Sequence, residues 1–155
     1  MTPVEELRYL ILAAQREGNR QLAQALRPHG ITPAQAEVLR LLADRQPLTL
    51  SGLGELLVCE SGTNPSRLVD RLVSADLVRR VPGEQDRRQV ELSLTPAGAR
   101  LARKVAGVED ELHRLLESAG SARELATVAA FLRTLVDGQP AGDAVARRKK
   151  SSEQR

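Results

Sequence analysis

The chain of 155 residues is poor in aromatics, cysteine and histidine, and each shortage removes a class of function. Tyr9 and Phe131 are the whole aromatic complement, with no tryptophan, so RNA or single-stranded bases find no stacking platform. A single cysteine, Cys59, excludes an internal disulfide framework. His29 and His113 are isolated and give no zinc-ligand spacing, so neither a structural metal nor a cofactor is expected. No apolar run approaches the roughly 20 residues needed to cross a bilayer, and the first residues lack the basic-then-apolar order of a signal peptide. A cytoplasmic protein with no membrane partner is the expectation. Catalytic arrangements are also missing. Neither histidine has a serine or cysteine nucleophile beside it by motif, no glycine-rich phosphate loop occurs, and Glu109, Asp110 and Glu111 read as an exposed helix face. An enzyme is not expected.

What is present is a 41% hydrophobic content, enough for the core of one domain and too little chain for two comfortable ones. The formal net charge of +3 is less telling than its place. Residues 139–155 carry Arg147, Arg148, Lys149, Lys150 and Arg155 against Asp143 and Glu153, so the whole excess sits in the tail and residues 1–138 are neutral. With proline, glycine, serine and charge but almost no apolar content, that tail is expected to be a basic disordered segment.

Three Thr-Pro pairs, at Thr2, Thr32 and Thr95, mark helix starts, because threonine caps the first-turn amides and proline at the first helical position loses no useful donor. Glu5 and Gln35 complete capping boxes. The first helix is expected over 3–26 and the second over 33–43, followed by a short strand at Leu48-Thr49-Leu50. Ser51 is expected to cap a short helix carrying Leu53, Leu56 and Leu57, the first of a helix-turn-helix. A long helix with Leu101, Val105, Val108, Leu112 and Leu115 on one stripe runs over 96–118. A last one follows the Ser121/Glu124 capping box and ends before Gly138. The stripes of the first helix and of these two could close an intramolecular core. They exceed what a small reading head can cover, however, and a helical dimer interface is preferred.

The segment from Ser61 to Gly98 carries the chemistry. In SGTNPSRLVDRLVSADL, Leu68, Val69, Leu72, Val73 and Leu77 recur at helical spacing, while Asn64, Arg67, Arg71 and Ser74 fall on the other side. Two starts are compatible with this helix. With Ser61 as cap, Pro65 removes an early backbone bond; with Asn64 as cap, it takes the favoured first position, and the later start is preferred. Either places Thr63, Asn64, Ser66 and Arg67 near the N-terminus, the part that a helix-turn-helix presents to base edges. The helix caps that the small polar residues make, and surface pairing of Arg67 and Arg71 with Asp70 or Asp76, are the bland alternatives. Beyond the helix, Val78 and Val81 flank Arg79 and Arg80, and Val90, Leu92 and Leu94 alternate with polar residues as in a half-buried strand. Between them lies a polar tip with Arg87 and Arg88, where the Asp86 carboxylate could brace a guanidinium. A helix offering amides and guanidinium groups beside a basic hairpin suits a major groove and its neighbouring minor groove.

The run from Asp86-Arg87-Arg88 to Leu94-Thr95-Pro96-Ala97-Gly98 resembles the wing signature of the MarR family of bacterial transcriptional regulators, D-x-R followed by a short strand and L-T-x-x-G. LVDRL at 68–72, followed by LVRR at 77–80, resembles the family's recognition helix and first wing strand. The resemblance implies a mainly α (α+β) fold, a winged helix-turn-helix over about 31–98 within a single domain of 1–138. Residues 1–30 and 99–138 would be helices of a two-fold homodimer. It also implies that Arg88 is the minor-groove arginine, which leaves Arg87 a phosphate contact. The expected function is that of a sequence-specific regulator of double-stranded DNA, acting as a repressor, with Thr63, Asn64, Ser66, Arg67, Arg71, Arg87 and Arg88 at the interface and Asp86 supporting the wing. A protein-docking module built on the same fold is the alternative. Family members release DNA when small anionic or phenolic ligands bind between the two parts. The shortage of aromatics argues against a stacking pocket here, so the ligand is not named and constitutive binding stays open. Cys59 lies where helix dipoles would lower a thiol pKa and Glu60 would raise it. The family's oxidant sensors use a cysteine in the N-terminal helix, which this chain lacks, so a small buried packing residue is the favoured role.

Overall fold

The structure, a computed structural model, describes residues 1–59 and 64–153, the last three as backbone only. In chain order the elements are α1 (Pro3–Leu26), α2 (Pro33–Arg45), β1 (Leu48–Thr49), α3 (Leu50–Gly54), α4 (Pro65–Ser74), β2 (Val78–Pro82), β3 (Val90–Leu94), α5 (Pro96–Ser118), α6 (Ala122–Val136) and α7 (Pro140–Glu153). The three Thr-Pro starts are realised as read. Thr2 and Thr32 close capping boxes with Glu5 and Gln35, and the Thr95 hydroxyl accepts the Gly98 N–H at 3.0 Å.

Burial follows the periodicities. On α2, Val38, Leu39 and Leu42 are inaccessible; they meet Leu53 of α3, Val69 and Leu72 of α4, Leu92 of β3 and Val105 of α5 in one cluster. The sheet is antiparallel in the order β1-β3-β2, with Leu48 opposite Leu92 and Val78 opposite Leu94. Side chains alternate across such a ladder, so Leu92 and Leu94 enter the core. Val90, at the strand's outer end, is left exposed.

The helical frame meets the reading head at one tight place. A Cβ on Gly98 would lie 1.9 Å from the Leu77 carbonyl oxygen, so only glycine lets the first turn of α5 pass the start of β2. Thr95 fixes the same junction: its N–H donates to the Leu77 carbonyl at 3.1 Å and its hydroxyl to the Asp76 carbonyl at 2.7 Å. The L-T-x-x-G part of the wing signature thus has a packing cause.

Three expectations are corrected. The cap of α3 is Thr49, whose hydroxyl accepts the Gly52 N–H at 3.0 Å; Ser51 and Leu50 lie inside the helix. The second helix continues two residues further, to Arg45. Of the segment expected to be a disordered tail, Pro140–Glu153 form α7, with Ala144 buried and Arg148 reaching Glu37 of α2. Its few apolar groups suffice because the helix docks mainly through guanidinium groups.

Candidate nucleic-acid interface

The first turn of α4 is organised by its own sequence. Asn64 is the cap, its carboxamide oxygen accepting the Ser66 N–H at 3.0 Å, and Pro65 takes the first helical position, so the later of the two starts holds. Leu68, Val69 and Leu72 face the core, which turns Asn64, Arg67 and Arg71 to solvent with Ser66 half-buried among them. Thr63 lies outside the described residues. An exposed row of one carboxamide and two guanidinium groups at a helix start matches the donor and acceptor pattern of base edges in a major groove.

The wing stands beside this row. Arg80 of β2 makes an ion pair with Asp70 of α4, both side chains about half exposed, which ties the hairpin to the recognition helix. In open solvent such a pair is worth at most about 1 kcal/mol, so it orients the wing more than it stabilises the fold. Asp70 is therefore engaged from the wing, which corrects the alternative that pairs it with Arg67 or Arg71. In the sequence Asp70 and Arg80 are only two opposite charges ten residues apart, and nothing local marks them as partners.

At the tip, Arg87 and Arg88 are fully on the surface. Asp86 supports them in a way that differs from the expected brace. Its carboxylate accepts the backbone N–H of Arg88 at 2.9 Å, while its carbonyl accepts the Gln89 N–H at 3.0 Å. The Gly83 N–H closes the loop on the Gln89 carbonyl at 2.7 Å. Asp86 thus sets the turn from which both arginines project, an Asx-type arrangement, and leaves their head groups to solvent.

Cys59 also departs from expectation: the residue is exposed rather than a buried packing element. Its thiol nevertheless lies against protein on one side. Lost solvation, reinforced by the Glu37 carboxylate, pushes its pKa up to about 11. At neutral pH it is a thiol and a poor nucleophile. No cluster of potential metal ligands occurs among the described residues, and no helix among them is long and apolar enough to cross a membrane.

A recognition helix, a preceding short helix and a basic antiparallel hairpin define a winged helix-turn-helix protein. The model of the MarR family matches residues 31–90, from the approach to α2 to the start of β3. The chain is 31% identical to the organic hydroperoxide resistance transcriptional regulator of Bacillus subtilis (strain 168) over 132 residues, 85% of this chain and 88% of that protein. Among solved structures it resembles a cysteine-to-serine mutant of MarR from E. coli complexed with operator DNA, with a TM-score of 0.74 at 31% identity, covering 86% of this chain and 95% of that one. The S. aureus MepR-DNA complex gives a TM-score of 0.76 at 26% identity over 83% of this chain and 95% of that one. The chain belongs to the MarR family of winged-helix, DNA-binding transcriptional regulators.

Proposed function

We propose that the protein is a cytoplasmic, homodimeric repressor that reads a pseudo-palindromic operator in double-stranded DNA. The observation that carries this is the exposed row Asn64, Arg67 and Arg71 on a helix tied by the Asp70–Arg80 ion pair to a hairpin whose tip exposes Arg87 and Arg88. In this reading α4 enters the major groove, with Ser66 and Thr63 beside its first turn. Arg88 enters the flanking minor groove and Arg87 touches phosphate. The operator complexes of MarR from E. coli and of MepR support the assignment.

The dimer is supported by what a single chain leaves uncovered. Leu7 and Leu10 of α1 and Val128, Phe131 and Leu132 of α6 are exposed, and they line an apolar groove of about 680 Å³. A contiguous apolar surface of this kind marks an interaction site. Closed by a second copy, it sets two recognition helices at a fixed spacing, which calls for half-sites about one DNA turn, roughly 34 Å, apart. A small-molecule effector would act by changing that spacing. A cavity of about 310 Å³ between α1, α2, α5 and α7 is a place for such a ligand, which would compete there with the Arg40–Glu109 and Glu37–Arg148 ion pairs in its wall.

A gel shift tests the reading. Wild-type protein is offered a random-sequence duplex library, and the selected duplex is titrated across salt concentrations. A palindromic selected site with a steep salt slope is expected. No selection, or a flat slope, refutes it and favours a winged helix that docks on protein.

A further inference from the structure

We infer that Arg148, on α7, is a positioning residue for DNA recognition: it locks residues 55–59, where the chain leaves α3, by neutralising Glu37 and covering the carbonyl end of α3. The inference rests on the DNA-binding reading above. Glu37 is a carboxylate set in the buried face of α2, its side chain 7% exposed. One oxygen accepts the Val58 N–H at 2.8 Å and the other the Cys59 N–H at 2.9 Å. The Arg148 guanidinium pairs with the same carboxylate, and its Nε donates to the Leu56 carbonyl at 2.8 Å. Arg147 adds a bond to the Glu55 carbonyl at 3.2 Å, while Arg45 of α2 holds the Arg148 carbonyl at 2.9 Å.

These bonds converge on the four residues, Glu55 to Cys59 less Leu57, that lead out of α3 toward α4. Glu55 and Leu56 follow α3 directly, and their carbonyls lie past its last turn, where a cation is the favoured partner. Glu37, removed from water, needs a counter-charge as well as its two amide donors. Arg148 meets both needs at once. Without it, water must reach the carboxylate, and the two amides that Glu37 holds lose their fixed acceptor. The angle between the two helices of the reading head then depends on a residue 111 positions away from Glu37 in the chain. The Arg148 head group bonds the Glu37 carboxylate and the Leu56 carbonyl, partners that it would have to give up to act as a phosphate ligand.

The full-length wild type, Arg148→Ala and Arg148→Lys are compared on the duplex that the wild type selects, and by amide hydrogen exchange at Val58 and Cys59. Arg148→Ala is expected to bind about tenfold more weakly, equivalent to about 1.4 kcal/mol. Its salt slope should be unchanged, since no phosphate contact is lost. The two amides should exchange faster while those of α5 keep their protection, and Arg148→Lys should restore part of both effects. Should Arg148→Ala fail to fold, Arg148→Lys carries the same readouts against wild type. A salt slope reduced by about one charge would make Arg148 a direct phosphate ligand and overturn the inference. Unchanged affinity and exchange would overturn it too. If the wild type selects no duplex, the DNA-binding reading and the consequence for recognition fail together, while the exchange rates still decide whether the clasp exists.

Discussion

Replacing Gly98 by alanine should damage the junction between the helical frame and the wing. The added Cβ would stand 1.9 Å from the Leu77 carbonyl oxygen, and ordinary carbon-to-oxygen contacts are about 3.3 Å, so the two segments must part by about 1.4 Å. The obstacle is backbone, which cannot rotate aside as a side chain does. That same oxygen accepts the Thr95 N–H at 3.1 Å, and a displacement of this size breaks the bond. Forced overpacking costs about 1–3 kcal/mol and the lost hydrogen bond about 1 kcal/mol, offset by up to about 1 kcal/mol from alanine's better helix propensity. A net loss of about 1–4 kcal/mol follows. Urea unfolding at a fixed protein concentration reads it, since the stability of the proposed dimer would depend on concentration. Gly107→Ala is the control. It lies in the same helix with open space around the added Cβ, so it should stabilise by about 0.5–1 kcal/mol. A Gly98→Ala protein as stable as wild type would refute the packing account of the wing signature. The remaining folded Gly98→Ala protein should also bind DNA more weakly, because the wing starts from the displaced residue.

Arg88→Ala should cost about 1–3 kcal/mol of binding with a preference change confined to the outer, A·T-rich part of each half-site, whereas Arg87→Ala should weaken all sequences alike and lower the salt slope by about one unit. Quantitative gel shifts separate the two, and unchanged binding by a folded Arg88→Ala protein removes the wing from the mechanism. Phe131→Glu places a charge in the apolar groove between α1 and α6 and should leave a folded monomer at micromolar concentration by sedimentation; a persisting dimer would move the interface elsewhere. The Cys59 thiol, with its pKa raised to about 11, should react slowly with iodoacetamide at neutral pH and faster as the pH climbs toward that value. Its raised pKa also means that the fold holds the proton more tightly than the unfolded chain, so stability should fall as the pH rises from about 9 to about 11, and Cys59→Ser should lack that loss. Fast labelling at neutral pH would contradict the assignment.

Local chemistry made much of this protein readable in one dimension. Thr2-Pro3, Thr32-Pro33 and Thr95-Pro96 start three helices because both residues act within a single turn. Asn64 and Pro65 begin α4 for the same reason, and alternation along Val90 to Leu94 marks the wing strand. The cap of α3 was harder to read, since Thr49 and Ser51 are both competent and only the geometry after β1 decides that Thr49 reaches the Gly52 amide. Glu37 gave a fainter signal, a charge one turn from Ala34 and Leu41 on an apolar stripe, with nothing nearby in the chain to explain it. Sequence alone determined the starts of α1, α2, α4, α5 and α6, the strand face and the polar row of the recognition helix, all set by neighbours within a few positions. Only the tertiary structure decided that Asp70 answers to Arg80 and that the basic tail folds into α7. Each depends on a partner brought close by packing, and for α7 that partner is a buried carboxylate 111 residues earlier, whose need for a counter-charge no local pattern records.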